Sequence, residues 1–122
     1  MTEETAKLVA AMREVLRDRQ DVHLALLFGS QARGKARPDS DLDVAVQGEN
    51  LDVLGLYGDL SLATGREVDV VDLSRAGFAL LNAIVRDHVV IHQGRPGAAG
   101  RWLQPLVGQY RENRDQRSKS HW

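Results

Sequence analysis

The apolar run Val22-His23-Leu24-Ala25-Leu26-Leu27-Phe28 stops at Gly29-Ser30, and ten residues later Asp41-Leu42-Asp43 opens a valine-rich alternating segment. A run that is apolar almost throughout suits a central strand, covered on both faces. The second segment, Asp41 to Gln47, alternates. Side chains two apart in a strand share a face, so Asp41 and Asp43 point one way while Leu42 and Val44 point into the core. A third run, Glu67-Val68-Asp69-Val70-Val71, predicts another strand. If it pairs with the Asp41 strand, Asp69 reaches the same space and Val68 and Val70 face the core. These segments demand a sheet that carries carboxylates beside a glycine corner.

Helices fill the intervals. Leu8, Met12, Val15 and Leu16 recur at helical spacing between about Glu4 and Arg19. Ser30 is placed to cap a short helical turn through Arg33, and Lys35 to Ser40, which contains Pro38, is a loop. A helix from about Leu51 to Ala63 is weakened by Gly55 and Gly58 and ended by Gly65. Asp72 or Ser74 caps the next helix, which buries Leu80, Leu81, Ile84 and Val85. His88 to His92 forms a fourth strand with both histidines on one face. After the turn Gly94-Arg95-Pro96-Gly97, a last amphipathic segment carries Trp102, Leu103, Leu106, Val107 and Tyr110. From Arg111 the chain is charged and poor in apolar residues, so residues 1–110 are expected to fold and 111–122 to form a flexible tail. The order α-β-β-α-β-α-β-α predicts an α/β (α+β) domain, one short sheet flanked by helices.

Composition narrows the function. A chain of 122 residues holds one core but not a second domain for an acceptor. Its net charge of -1 argues against a general nucleic-acid binder, which must neutralise many phosphates. With no cysteine, thiolate metal sites and a cysteine nucleophile are excluded. The opening Met1-Thr2-Glu3-Glu4-Thr5 is unlike a signal peptide, no apolar run approaches a membrane span, and a cytoplasmic setting is expected.

Adjacent carboxylates flanked by buried apolar residues repel each other unless a cation lies between them. Oxygen ligands without His or Cys suit Mg²⁺, with Mn²⁺ as a substitute. Asp41, Asp43 and Asp69 together can hold two such ions about 4 Å apart. Gly29 lets backbone approach a phosphate closely, Ser30 adds a donor, and Arg33 can neutralise a phosphate oxygen. The reaction this set predicts is in-line attack of an acceptor hydroxyl on an α-phosphate, with pyrophosphate leaving and Asp69 orienting or deprotonating the hydroxyl. A solvated strand edge would explain Asp41 and Asp43 taken alone, though not their spacing from Gly29-Ser30 together with Asp69. Arg33 is set apart from an ordinary solvated arginine only by its place in the motif. Gly29 to Lys35 also imitates the start of a Walker A loop, but Ala36 stands where Ser or Thr would bind Mg²⁺.

Gly29-Ser30, Ala32-Arg33-Gly34, Pro38-Asp39-Ser40 and Asp41-Leu42-Asp43, with Val68-Asp69-Val70-Val71-Asp72-Leu73 downstream, resemble the minimal nucleotidyltransferase (MNT) branch of the polymerase-β-like superfamily. The likeness covers roughly Val22 to His92. It implies a mixed sheet with helices on one side, Mg²⁺ dependence and ATP as donor. Members of this size resemble adenylyltransferases that modify a tyrosine of a cognate HEPN ribonuclease toxin, acting as its antitoxin within a hetero-oligomeric complex. Two other readings remain open at this point. The acceptor could be a small molecule such as an aminoglycoside, or an RNA end. Alternatively, a non-catalytic module could neutralise the toxin by occlusion alone.

Overall fold

The computed structural model describes residues 2–34 and 40–104. In chain order these form α1 (Glu3–Arg17), β1 (Val22–Phe28), β2 (Leu42–Gly48), α2 (Val53–Thr64), β3 (Val68–Asp72), a 3-10 turn (Leu73–Arg75), α3 (Phe78–Arg86) and β4 (His88–Gln93). A further helix, α4, occupies residues 98–104. The expected flexible tail, the boundary at residue 110 and the segment carrying Leu106, Val107 and Tyr110 lie outside the described residues, as does most of the Pro38 loop.

The four strands lie in the order β3-β2-β1-β4. β1 is antiparallel to both β2 and β4, whereas β2 and β3 run parallel, so the sheet is mixed as expected. A parallel pair needs a crossover, and α2 supplies it. Gly65, at φ 67°, ends α2 in the left-handed conformation, its N–H donating to the Ser61 carbonyl. The chain then enters β3 directly.

Alternation along the strands divides the core in two. Ala25, Leu27, Leu42, Val44, Val46 and Val68 pack with Leu8, Val9, Met12 and Leu16 of α1 and Leu56 and Leu60 of α2. On the opposite face Leu24, Leu26, Phe28 and Ala45 meet Leu73, Ile84 of α3 and Ala98 of α4. The one-sided cover implied by the family resemblance is therefore not what forms. β1 is apolar on both faces, and leaving Leu24, Leu26 and Phe28 in water would cost about 1.5–3 kcal/mol for each side chain. Helices accordingly cover part of both faces.

Two local expectations are also corrected. A bulge in β4 shifts the register, so His88 lies opposite Phe28 but His92 lies opposite Ala25, residues of the two different core clusters. The histidines thus do not share a face. His88 bonds the Ile84 carbonyl through Nδ1 at 2.8 Å and meets Trp102 edge-on, which makes it a packing residue. Burial alone lowers the pKa of His92. Asp72 caps the 3-10 turn through the Ser74 N–H rather than α3, which starts after Gly77 with no side-chain cap. Among the described residues β4 is an edge strand, and Arg13 of α1 donates to its carbonyls at Ile91, 2.7 Å, and Val90, 3.2 Å. Among the described residues no helix is long and apolar enough to cross a membrane.

Candidate active site

β1 ends at Phe28, and the chain reverses through Gly29 at φ 77°, a left-handed conformation that glycine adopts without penalty. Arg33 N–H then donates to the Gly29 carbonyl at 3.2 Å and Gly34 N–H to the Gln31 carbonyl at 3.1 Å, closing a tight turn with Ser30 at its start. Phe28 is the register partner of Asp43, and Asp43 is the partner of Asp69. The glycine turn, Asp43 and Asp69 consequently form a row across β1, β2 and β3. Asp69 lies on the same face as Asp43, because partners in a ladder point the same way.

The approach of the turn to the second strand is close. A Cβ placed on Gly29 would sit 2.5 Å from Asp43 Oδ2. Asp41 precedes β2 and is exposed, whereas Asp43 is half-buried. Burial is the main cause raising the Asp43 pKa above its ordinary 3.8. The negative charges of Asp69 and then Asp41 raise it further, and the positive charge of Arg33 opposes them. A carboxylate held among like charges, with hard oxygen donors only, fits a divalent cation such as Mg²⁺ in chemistry. Among the described residues, however, no group of three or more His, Cys, Asp or Glu is drawn close enough to hold an ion by itself. The three aspartates share a region without closing a cage, a donor set that fits Mg²⁺ completed by water and substrate phosphate oxygens.

Several supporting residues escaped the sequence reading. Gln31 is buried inside the turn, and its Oε1 accepts from Thr5 Oγ1 at 2.9 Å, pinning the turn to the first turn of α1. Tyr57, on α2, donates through its hydroxyl to Glu67 Oε1 at 3.2 Å. That bond, followed by the charge of Glu67, burial, and the charges of Asp69 and Asp41, raises the phenol pKa above its ordinary 10.0. Arg66 joins three segments: Nη1 reaches the Ser40 carbonyl and Nη2 reaches Glu4 Oε1, both at 3.4 Å. It thereby ties the residue before Asp41 to α1 and to the start of β3. Nothing local marks these residues, since the partners of Arg66 lie 26 and 62 positions away in the chain.

Arg66→Ala is expected to lower unfolding free energy by about 1–2 kcal/mol, because Arg66 is largely buried and its carbonyl and carboxylate partners lose a charged donor. Urea unfolding of the two proteins checks this. An unchanged midpoint would show that Arg66 does not brace the segment leading into Asp41.

Residues 11–95 match the family described as Polymerase beta, Nucleotidyltransferase. The chain is 31% identical over 93 residues to the protein adenylyltransferase MntA of Thermococcus cleftensis, an alignment covering 73% of this chain and 94% of that protein. Among solved structures, it resembles a chain of a toxin–antitoxin crystal structure with AMP-PNP, at TM-score 0.71 and 24% identity, over 91% of this chain and 93% of that one. It also resembles a chain of the complex between a tri-AMPylated HEPN toxin of Shewanella oneidensis and an MNT antitoxin. There the TM-score is 0.68 at 22% identity, over 94% of this chain and 93% of the other. At these identities the two structural likenesses speak for the fold.

Proposed function

This chain belongs to the polymerase beta nucleotidyltransferase family, and on that premise we propose that it is a protein adenylyltransferase acting as the antitoxin of a HEPN toxin. In this reading it transfers AMP from ATP to a tyrosine hydroxyl of its partner. The observation that carries the reading is the row formed by the Gly29 turn, Asp43 and Asp69 across three strands. The relative named a protein adenylyltransferase, similar over nearly its whole length, supports the choice of acceptor class. So does the tri-AMPylated toxin in complex with an MNT antitoxin. A cytoplasmic setting goes with an ATP donor and an intracellular toxin.

Each residue then has a task. Backbone N–H groups of the Gly29 turn and the Ser30 hydroxyl bind the triphosphate, and Arg33, whose charge reaches Asp43, adds positive potential there. Asp43, Asp69 and Asp41 are the residues that would hold the metal. A bound Mg²⁺ would supply positive charge to offset that of the departing pyrophosphate. Asp69, on the strand beyond Asp43, orients the acceptor hydroxyl and receives its proton. Three carboxylates and a phosphate turn suit phosphoryl chemistry, in which catalysis is positioning plus electrostatics.

The test mixes the chain with a HEPN protein encoded beside it in its genome, ATP and Mg²⁺, and reads intact mass. Increments of whole AMP groups on the partner are expected. The same increments produced by the Asp41→Asn/Asp43→Asn double variant would sink the proposal.

A further inference from the structure

Among the described residues two polar side chains are buried, Thr5 of α1 and Gln31 of the Gly29 turn, and they are bonded to each other. Thr5 Oγ1 donates to Gln31 Oε1 at 2.9 Å. The direction of that bond is set from behind. Thr2, the N-cap of α1, donates its hydroxyl to Thr5 Oγ1 at 2.8 Å, which leaves the Thr5 proton for Gln31. Gln31 stands in the middle of the turn. The N–H groups of Arg33 and Gly34 are used inside it, whereas those of Ser30, Gln31 and Ala32 have no backbone acceptor among the described residues. Successive N–H groups left over in a turn are the part that takes an anion. An apolar contact would also tie turn to helix, but the hydrophobic effect has no direction and would not fix the angle of Gln31. A hydrogen bond does.

We propose that Thr5 is a positioning residue for the donor nucleotide: its bond to Gln31 holds the Gly29 turn in the conformation that binds the triphosphate. The inference rests on the adenylyl-transfer reading above, in which that turn cradles the donor phosphates. Its effect belongs to binding. The turn grips the triphosphate before and during transfer alike, so loss of the bond raises the KM for ATP and spares kcat.

The experiment follows AMP transfer from the full chain to the HEPN protein across ATP concentrations with Mg²⁺. Alongside, calorimetry without the partner measures binding of α,β-methylene-ATP, whose α–β linkage transfer cannot cleave. Thr5→Val keeps the shape and removes the hydroxyl. It should raise the KM for ATP and the Kd of the analogue about tenfold, with kcat within about twofold of the parent. Thr5→Ser should behave as the parent does. The Thr5→Val/Gln31→Met double variant replaces the polar pair by an apolar one of similar size. Its melting temperature should return toward that of the parent while KM stays high. Parental KM in Thr5→Val, an equal loss in Thr5→Ser, or a double variant whose KM recovers with its melting temperature would each overturn the inference and leave the adenylyl-transfer reading standing. A parent that binds the analogue but transfers no AMP would overturn that reading, and the ratio of the two Kd values would still decide the role of Thr5.

Discussion

Asp43→Asn should lower AMP transfer at least about a thousandfold, with the protein melting no lower than its parent. Loss of activity with fold intact is unusual for a residue in a central strand, and the reason lies in what surrounds it. Asp43 is half-buried between the Gly29 turn and Asp69, and its carboxylate is disfavoured there by burial and by two like charges. Asn keeps the shape and removes the charge, so the resting fold loses a repulsion rather than an attraction. The sign of the pH effect follows. With its folded pKa raised above 3.8, Asp43 holds its proton more firmly in the folded chain than in the unfolded one. Stability of the parent in EDTA therefore falls as pH rises through the window between the two values and stays lower above it. The Asn variant lacks that contribution. Added Mg²⁺ should raise the melting temperature of the parent more than that of the variant, since a ligand stabilises only the state that binds it. Melting curves against pH in EDTA, with transfer assays alongside, test both halves. A variant that unfolds several degrees lower would show that Asp43 holds the fold together instead of loading it for catalysis.

The parts of this arrangement that were legible in sequence are those set by the two-residue period of a strand. Asp43 and Asp69 share a face because Leu42, Val44, Val68 and Val70 need the other one. The apolar run before Gly29 predicted a strand buried on both faces, and the same fact overrode the one-sided helix cover that the family likeness implied. Interruptions of the period were illegible. The β4 bulge separates His88 from His92, yet no residue in Val89-Val90-Ile91 announces it. Asp72 could have capped either the turn or the helix that follows, and only the path of the chain decides. The braces around the site were hidden for a different reason. Gln31 bonds Thr5, and Arg66 reaches Ser40 and Glu4, across separations that a local pattern does not encode.

Gly29→Ala is the second large effect, and unlike Asp43→Asn it should damage fold and activity together. Two costs coincide at this position. An L-residue at φ 77° is strained by about 1–2 kcal/mol. The new methyl would also lie 2.5 Å from Asp43 Oδ2, well inside contact distance. The carboxylate must then swing away or the turn must open, and either movement breaks the row from which transfer is proposed to proceed. A stability loss of about 2 kcal/mol or more is expected, with a fall in transfer of about a hundredfold from misplacement on the order of 1 Å. Gly34 separates the two costs. It has a similar φ, 72°, but among the described residues a Cβ there would meet nothing within 4 Å. Gly34→Ala should thus lose only the strain, about 1–2 kcal/mol, and transfer AMP close to the parent rate when assayed well below its melting temperature. The comparison isolates the collision with Asp43 from left-handed strain. Equal activity in the two alanine variants would mean that the closeness of Gly29 to Asp43 shapes the turn without serving the chemistry.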